Sequence, residues 1–326
     1  MRSVVIRRPG GHEALSWAES QDPVPGPGQV LVKATHAGVN YADCLVRMGL
    51  YAAAKGLYPI TPGFEFAGTA DGRPVFGITR FGAYSDRVVV PEGQVWPCPE
   101  GWGPADCAAL PAVALTAYHG LMEVARVRPG ETVLIHSSAG GMGCALVQLC
   151  RILGLKSIAV VGSEAKAVVP KELGADRVLV RSERLWSEIG EVDVVFDANG
   201  VSTLRPGFEH LAPNGRLVVY GFAEMLPRGQ ASPRLLTLLW NRLRVPSFSP
   251  FEMTSANKTV AGFNVVHLFH RTDLARKAMT DVLSWIRDGK YKKVPVTVFP
   301  VERAGKAHQE LESGRTVGKL VLEFPA

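Results

Sequence analysis

The chain has little of what marks secreted, membrane-embedded or nucleic-acid-binding proteins. Only five of its 326 residues are cysteine: Cys44, Cys98, Cys107, Cys144 and Cys150. The odd count and the lack of any Cys-x-x-Cys pair exclude a disulfide framework, and a reducing cytoplasm is the expected setting. No block of five or more like charges occurs. The net charge of +6 is spread along the chain, whereas a nucleic-acid binder concentrates basic residues in a stripe or arm. A diffuse positive field suits a small polyanion equally well, such as a dinucleotide or a coenzyme A thioester. The apolar stretches fall short of the ~20 residues that span a bilayer, so no stable membrane insertion is expected. Met1-Arg2-Ser3-Val4-Val5-Ile6 reaches Arg7-Arg8 after a very short apolar run and reads as a first strand, not a signal peptide. No segment is low in complexity and no internal repeat is evident.

What is present is an ordinary globular composition, 47% apolar and 20% charged, in a length that suits two domains. The first hundred residues look β-rich, with short runs such as Val30-Leu31-Val32 and Val88-Val89-Val90 between turn signals. Gln21 to Gly28 is a proline- and glycine-rich connector. Ala112 to Val124 has helical spacing. The chain then alternates. Strands are expected at Thr132–His136, Ser157–Val161, Arg177–Val180, Val192–Phe196, Arg216–Tyr220 and Thr259–Phe263. Helices are expected at Cys144–Leu153 and at Lys166–Leu173, where Pro170 is an awkward interior residue. Such alternation means an α/β fold with a doubly wound parallel sheet of the Rossmann type. The tail returns to a mixed pattern: a helix from Leu274 to Ile286, a strand from Val294 to Phe299, a further helix, and a last strand from Lys319 to Phe324. The Rossmann sheet is therefore inserted into a discontinuous partner domain, with boundaries at 1–112, 113–263 and 264–326.

The turn Ser138-Ala139-Gly140-Gly141-Met142-Gly143 lies where a dinucleotide site needs it, between a buried strand and a helix. Gly140 and Gly141 let the backbone approach a pyrophosphate, and Gly143 lets the helix pack close to the strand. Ser138 replaces the first glycine of the fingerprint. The second strand ends without a carboxylate of the kind that binds a ribose diol. Gly162 leaves room for a 2′-phosphate, Ser163 can donate to it and Lys166 can neutralise it, which favours NADPH; Glu164 weighs toward NADH.

Gly130-Glu131-Thr132-Val133-Leu134-Ile135-His136-Ser137-Ser138-Ala139-Gly140-Gly141-Met142-Gly143 resembles the medium-chain dehydrogenase/reductases, nearest their zinc-independent quinone oxidoreductase branch. The likeness extends over nearly the full length. It includes Gly38-Val39-Asn40-Tyr41-Ala42-Asp43, Gly49-Leu50-Tyr51, Thr61-Pro62-Gly63-Phe64-Glu65-Phe66-Ala67-Gly68, Leu110 to Tyr118, Leu211 to Arg216 and Gly318-Lys319-Leu320-Val321-Leu322. The stretch from Ala256-Asn257-Lys258 to Gly262-Phe263-Asn264 is similar to the vesicle amine transport protein subgroup, and enoyl-thioester reductases share the framework. The resemblance implies a GroES-like β-rich catalytic domain around the Rossmann sheet. Where zinc-dependent relatives carry a cysteine and a histidine ligand, this chain has Asn40 and Phe64, neither of which serves as such a ligand. The four-cysteine lobe is absent too, so no metal is expected. Cys44, with no partner at ligand spacing, is expected to pack.

The implied chemistry is zinc-independent, NADPH-dependent reduction of the activated C=C of an α,β-unsaturated carbonyl: a quinone, an enone or an enoyl thioester. A short or branched enoyl-CoA is the narrower alternative. A lipid- or protein-binding role with residual reductase activity is the alternative of another class. Tyr51 is implied as proton donor, its hydroxyl remaining protonated near neutrality. Asn40 is implied as a partner of the cofactor ribose or the substrate oxygen, with Asp43 bracing that loop. Implied cofactor contacts are Thr116, Arg181, Asn199, Phe222, Phe263, Asn264 and Lys319. Tyr58, Phe64 and Trp240 are expected to line a substrate slot. His119, His136 and His267 have no visible acid partner and are assigned no chemistry. The apolar segment Leu235–Phe251 is expected to act as a tunnel lid or dimer contact, with a lipid or partner surface as the alternative. By resemblance, a homodimer pairs through the edge of the sixth strand.

Overall fold

The computed structural model describes residues 1–225 and 235–325. Two sheets dominate it. The first contains six parallel strands in the spatial order Arg177–Val180, Lys156–Val161, Thr132–Ile135, Val192–Asp197, Leu211–Val219 and Thr259–Gly262. Counted along the chain this is the order 3-2-1-4-5-6, the doubly wound arrangement in which the strand order reverses between Thr132–Ile135 and Val192–Asp197. The central strands are continuous apolar runs because helices cover both faces. Leu134, Ile135, Val194, Val195 and Phe196 are all fully buried.

The helix Gly141–Ile152 leaves this sheet at the reversal point and buries Ala145, Leu146, Leu149 and Cys150. It begins at Gly141, ahead of the expected Cys144, so the glycines themselves form its first turn. The expected helix at Lys166 splits into a tight turn at Glu164–Lys166 and a helix at Val168–Glu172. Pro170 explains the shift: within a first helical turn its missing N–H costs nothing. The fifth strand starts at Leu211, before the expected Arg216, and carries a register irregularity against Val192–Val194.

The second sheet has seven strands. Along it lie Val296–Pro300, Lys319–Glu323, Gln29–Val39, Glu65–Ala70, Arg73–Ile78 and Val95–Pro97, and Arg87–Pro91 also pairs with Gln29–Val39. It is thus assembled from both ends of the sequence, around the strands that run between Thr132 and Gly262. The two sheets meet at the glycine turn, where Gly318 N donates to Ala139 O at 2.7 Å. Gly318 is needed there: its φ is +64°, and an added Cβ would lie 1.9 Å from Pro295 O.

The expected helix at Ala112–Val124 is an α-helix, Pro111–His119, that continues as a wider π turn over Gly120–Ala125. At Gly120 a Cβ would sit 2.8 Å from the Phe196 ring. With Pro104–Ala108, the helical run reaches 22 residues, Pro104–Ala125, long and apolar enough to cross a membrane by length and composition. That corrects the expectation of short apolar segments. The same stretch is 72% buried inside the fold, packed against Gly141–Ile152 and against Thr272–Arg287.

Candidate active site

The site is built on an ion pair. Lys319 Nζ lies 2.6 Å from Glu65 Oε1, 2.8 Å from Asn40 Oδ1 and 3.0 Å from Val39 O. Asn40 Nδ2 donates to the same Glu65 oxygen at 2.8 Å, and Ala112 N donates to Glu65 Oε2 at 2.8 Å. Both charged side chains are almost wholly buried, so each needs the other. Gly38 makes the space: a Cβ there would come 2.4 Å from Glu65 Oε1. The sequence assigned Lys319 to the cofactor. In the structure its amine is directed to Glu65 and Asn40, and its methylenes lie under the glycine turn, since a Cβ on Gly141 would be 2.6 Å from Lys319 Cδ. Glu65 was missed altogether. The available signal was a carboxylate amid the apolar residues Phe64, Phe66 and Ala67.

Above this network stands the helix N-terminus. Gly140 is the extended N-cap of Gly141–Ile152. At Gly143 an added Cβ would lie 2.4 Å from Ser138 Cα, so only glycine fits the approach of helix to strand. Ser138 is fully buried and its Oγ donates to Ile135 O at 2.6 Å, a local bond that closes the turn where the fingerprint has its first glycine. Ser137 Oγ donates to Asn199 Oδ1 at 3.1 Å, which carries Asn199 to the turn from the neighbouring strand end. The Nδ2 of Asn199 is buried without a hydrogen-bond partner. An orphaned donor beside a helix N-terminus, whose first N–H groups lack intrahelical partners, is what a bound pyrophosphate or ribose would satisfy. Phe222 abuts the same strand ends, since a Cβ at Gly200 would meet its ring at 2.9 Å. These residues fit a dinucleotide.

At the tip of the second strand a Cβ on Gly162 would meet nothing within 4 Å, and Ser163 is exposed. Lys166 behaves otherwise than expected. Its Nζ donates to Gly314 O at 2.6 Å and Thr316 O at 3.0 Å, tying this tip to the loop before the last strand. Arg181 lies close enough to His136 that its charge helps hold His136 neutral. Burial is the larger cause, and together they push the imidazole down to about 3.

A cleft opens next to the turn. Met142, from the turn itself, forms part of its wall, with Asn40, Tyr51 and Phe64 from the first hundred residues and Thr116 from the helix Pro111–His119. Phe263 and Asn264 line it as well. Tyr51 is carried on the loop after the helix Tyr41–Arg47. Its hydroxyl donates to Asn264 Oδ1 at 3.0 Å, and its ring meets Phe64 edge-on at 5.8 Å. Burial pushes the Tyr51 phenol up to about 12, so it keeps its proton at neutral pH. Asp43, the expected brace, is fully buried and receives Asn40 N and Gly63 N, each at 2.8 Å. Burial raises its carboxyl to about 7 despite those bonds. Thr116 directs its hydroxyl to Ala112 O at 2.5 Å. Sequence reasoning missed Tyr220 and Phe269, which also line the cleft. Tyr220 follows the fifth strand, at the carboxyl ends where open α/β sheets bind ligands.

Two expected pocket residues lie elsewhere. The Tyr58 hydroxyl donates to Val46 O and its ring is absent from the cleft wall. Trp240, on the helix Leu235–Arg244, is 63% exposed, with Leu243 and Phe251 more exposed still. An amphipathic segment and a pocket wall read alike in sequence. Cys44 is fully buried, as expected of a packing residue. It does have neighbours, because its Sγ lies within 4.8 Å of ligand atoms of His308 and Glu312. The C-terminal helix Ala304–Glu312 packs on Tyr41–Arg47, a contact no linear spacing reveals. Arg47 already pairs with Glu312 at 2.9 Å, and burial keeps the Cys44 thiol well above its usual value.

Residues 26–74 match the sequence family described as an alcohol dehydrogenase GroES-like domain, and residues 173–322 match a zinc-binding dehydrogenase family. The synaptic vesicle membrane protein VAT-1 homolog of Rattus norvegicus is 30% identical, over 99% of this chain and 84% of that protein. The quinone oxidoreductase of Thermus thermophilus, solved also in complex with NADPH, is 30% identical, with a TM-score of 0.84 over 99% of this chain and 100% of that one. The CurK enoyl reductase, at 24% identity and a TM-score of 0.84, shares the fold. Fold and site together are those of a medium-chain dehydrogenase/reductase. Within that superfamily the chain belongs to the zinc-independent branch of quinone oxidoreductases and VAT-1 homologues. In keeping with that branch, Asn40 and Phe64 face the cleft where a catalytic metal would need ligands.

Proposed function

We propose that this oxidoreductase reduces the activated C=C of an α,β-unsaturated carbonyl with NADPH. The observation that carries the reading is a protonated, half-buried Tyr51 hydroxyl beside an apolar cleft whose wall includes Met142 of the glycine turn. Gly140, Gly141, Met142 and Gly143 hold the pyrophosphate, Asn199 and Phe222 flank it, and Gly162 with Ser163 leaves room at the adenosine ribose. NADPH, when bound, supplies a hydride to the β carbon.

The chain's own residues do the rest. Phe64, Phe263 and Tyr51 exclude water from the slot. As negative charge moves onto the carbonyl oxygen, the Tyr51 O–H donates to it, and that proton is then available for the α carbon. Before substrate enters, that O–H donates to Asn264 Oδ1, and the same proton turns from Asn264 to the carbonyl oxygen when substrate is bound. Asn40 is clamped in one orientation at the cleft wall, its amide oxygen held by Lys319 and its amide nitrogen by Glu65. No metal enters any of these steps.

Among substrates, quinones and enones fit the open apolar cleft directly; an enoyl-CoA would add its phosphates to the basic surface. NADPH consumption with a quinone, an enone and a 2-enoyl-CoA, each over a range of concentrations, separates these classes. Turnover of none of them would remove the reading. The division at residues 112 and 263 goes with it, as does a cytoplasmic homodimer formed through Thr259–Gly262, an edge strand that among the described residues pairs on one side only. Sizing in dilute solution tests the dimer.

A binding role is favoured by one observation, the exposed apolar residues Trp240, Leu243 and Phe251. Flotation with lipid vesicles in the absence of any turnover would support it over the reductase reading.

A further inference from the structure

Beside the cleft lies a second hollow, lined by Leu115 and Tyr118 of the helix Pro111–His119 and by Leu274, Ala275 and Ala278 of the helix Thr272–Arg287. Its buried lining is apolar, whereas its charged lining residues, Glu123 and Lys277, are exposed. The two spaces follow one helix. Ala112 and Thr116 line the cleft, and His119, on the same face about one turn further along, lines the hollow. In one place the wall between them is two side chains thick: the Phe263 ring of the cleft meets the His119 ring of the hollow, with centroids 5.4 Å apart. At Val265 and Phe269 it is one residue thick, because these two line both spaces.

Phe269 is the larger of the two and is buried, whereas Val265 is partly exposed. It follows the turn Val265–Leu268, and its carbonyl accepts from the buried Gln94 Nε2 at 2.5 Å. The ring therefore stands on a fixed base. Tyr118 is fixed as well, its hydroxyl donating to Asp281 Oδ2 at 2.6 Å.

We infer that Phe269 determines substrate length: it is a partition that holds the cleft to compact electrophiles, such as unsubstituted ring quinones and short enones, and stops a linear tail short of the hollow. The identity of the electrophile rests on the reductase reading above; the partition does not. A methylene that moves from water into open apolar space gains about fourfold in affinity. A tail that reaches Phe269 finds no such space and must displace a packed ring, which costs affinity. Truncating Phe269 joins the two spaces and extends the slot along the helix toward Leu115 and Ala278.

The test uses the full chain with NADPH and unreactive saturated methyl ketones, from butan-2-one to octan-2-one, whose Kd is read by calorimetry. In the wild type the gain should end within the series, with pentan-2-one and octan-2-one binding within about threefold of each other. Phe269→Ala should gain about fourfold for each of the three added methylenes, about 60-fold in all. Phe269→Leu should fall between the two, and it serves in place of the alanine variant if that one does not fold. Adding Ala278→Leu to Phe269→Ala should refill the hollow and take the gain back. The ratio of long to short ketone cancels any general loosening of the cleft. Wild-type affinity that climbs fourfold per methylene to octan-2-one, truncations that keep the wild-type profile, or failure of every ketone to bind would overturn the inference. NADPH consumption with but-3-en-2-one and oct-1-en-3-one is followed alongside. The expected binding profile without any consumption would sink the reductase reading and leave the partition standing; consumption with an unaltered profile in the truncated variants would do the reverse.

Discussion

Lys319 Nζ and Glu65 Oε1 lie 2.6 Å apart, joining the last strand of the chain to a strand near its start. Both side chains are buried, so removing either charge strands the other in a medium that cannot solvate it. Lys319→Met and Glu65→Gln should each destabilise the fold by about 3–5 kcal/mol. The double variant should cost less than their sum, because it leaves no lone charge. Urea unfolding of the four proteins measures both effects. Additive losses would show that the pair is not coupled.

The glycine turn makes a contrasting pair of predictions. Gly143→Ala forces a methyl to within 2.4 Å of Ser138 Cα and must separate helix from strand. It should destabilise the chain by about 1–3 kcal/mol and weaken NADPH binding by about tenfold or more. Gly162→Ala points its methyl into open space and should shift stability by no more than about 1 kcal/mol. Calorimetric titration with NADPH, paired with thermal unfolding, distinguishes the two sites.

Tyr51→Phe should lower kcat by about 10²–10⁴, the usual contribution of a positioned general acid, with the Kd for NADPH little changed. The phenol, raised to about 12, also fixes a pH dependence. An ordinary tyrosine is half ionised near pH 10, whereas this one keeps its proton there. Single-turnover rates with bound NADPH should therefore show no Tyr51-dependent loss between pH 7 and about 10. A fall centred near 10 in the wild type, absent in the Phe variant, would contradict the assigned environment.

His136 supplies a stability prediction of known sign. Burial, aided by Arg181, holds the folded-state imidazole at about 3, against 6.5 ordinarily. The unfolded chain thus binds the extra proton first as pH falls. His136 penalises folding progressively from about pH 6.5 down to about 3, and the penalty is absent above pH 7. His136→Leu should flatten the decline of Tm over that window. A variant with the wild-type slope would place the acid sensitivity elsewhere.

Much of the fold was legible because parallel strands buried on both faces are continuous apolar runs. Val133–Ile135 and Val194–Phe196 could scarcely be anything else. The glycine turn was legible because its constraint is local: Gly143 meets Ser138 a few residues away. What escaped was nonlocal. The Glu65–Lys319 pair and the contact of Cys44 with His308 and Glu312 join residues from opposite ends of the chain. The roles given to Lys166 and Lys319 assumed extended side chains reaching a phosphate, whereas each finds backbone or carboxylate oxygens of its own. Tyr58 and Trp240 show the same limit from the apolar side: an aromatic residue's type does not say which wall it joins.

The most direct test of the central claim follows NADPH absorbance on mixing the metal-free, chelator-treated chain with a panel of quinones and enones. The account predicts consumption of NADPH with at least one of them, at a rate unchanged by prior chelation and strongly reduced by Tyr51→Phe. Absence of turnover across the panel, or activity that disappears on chelation and returns with added zinc, would contradict it.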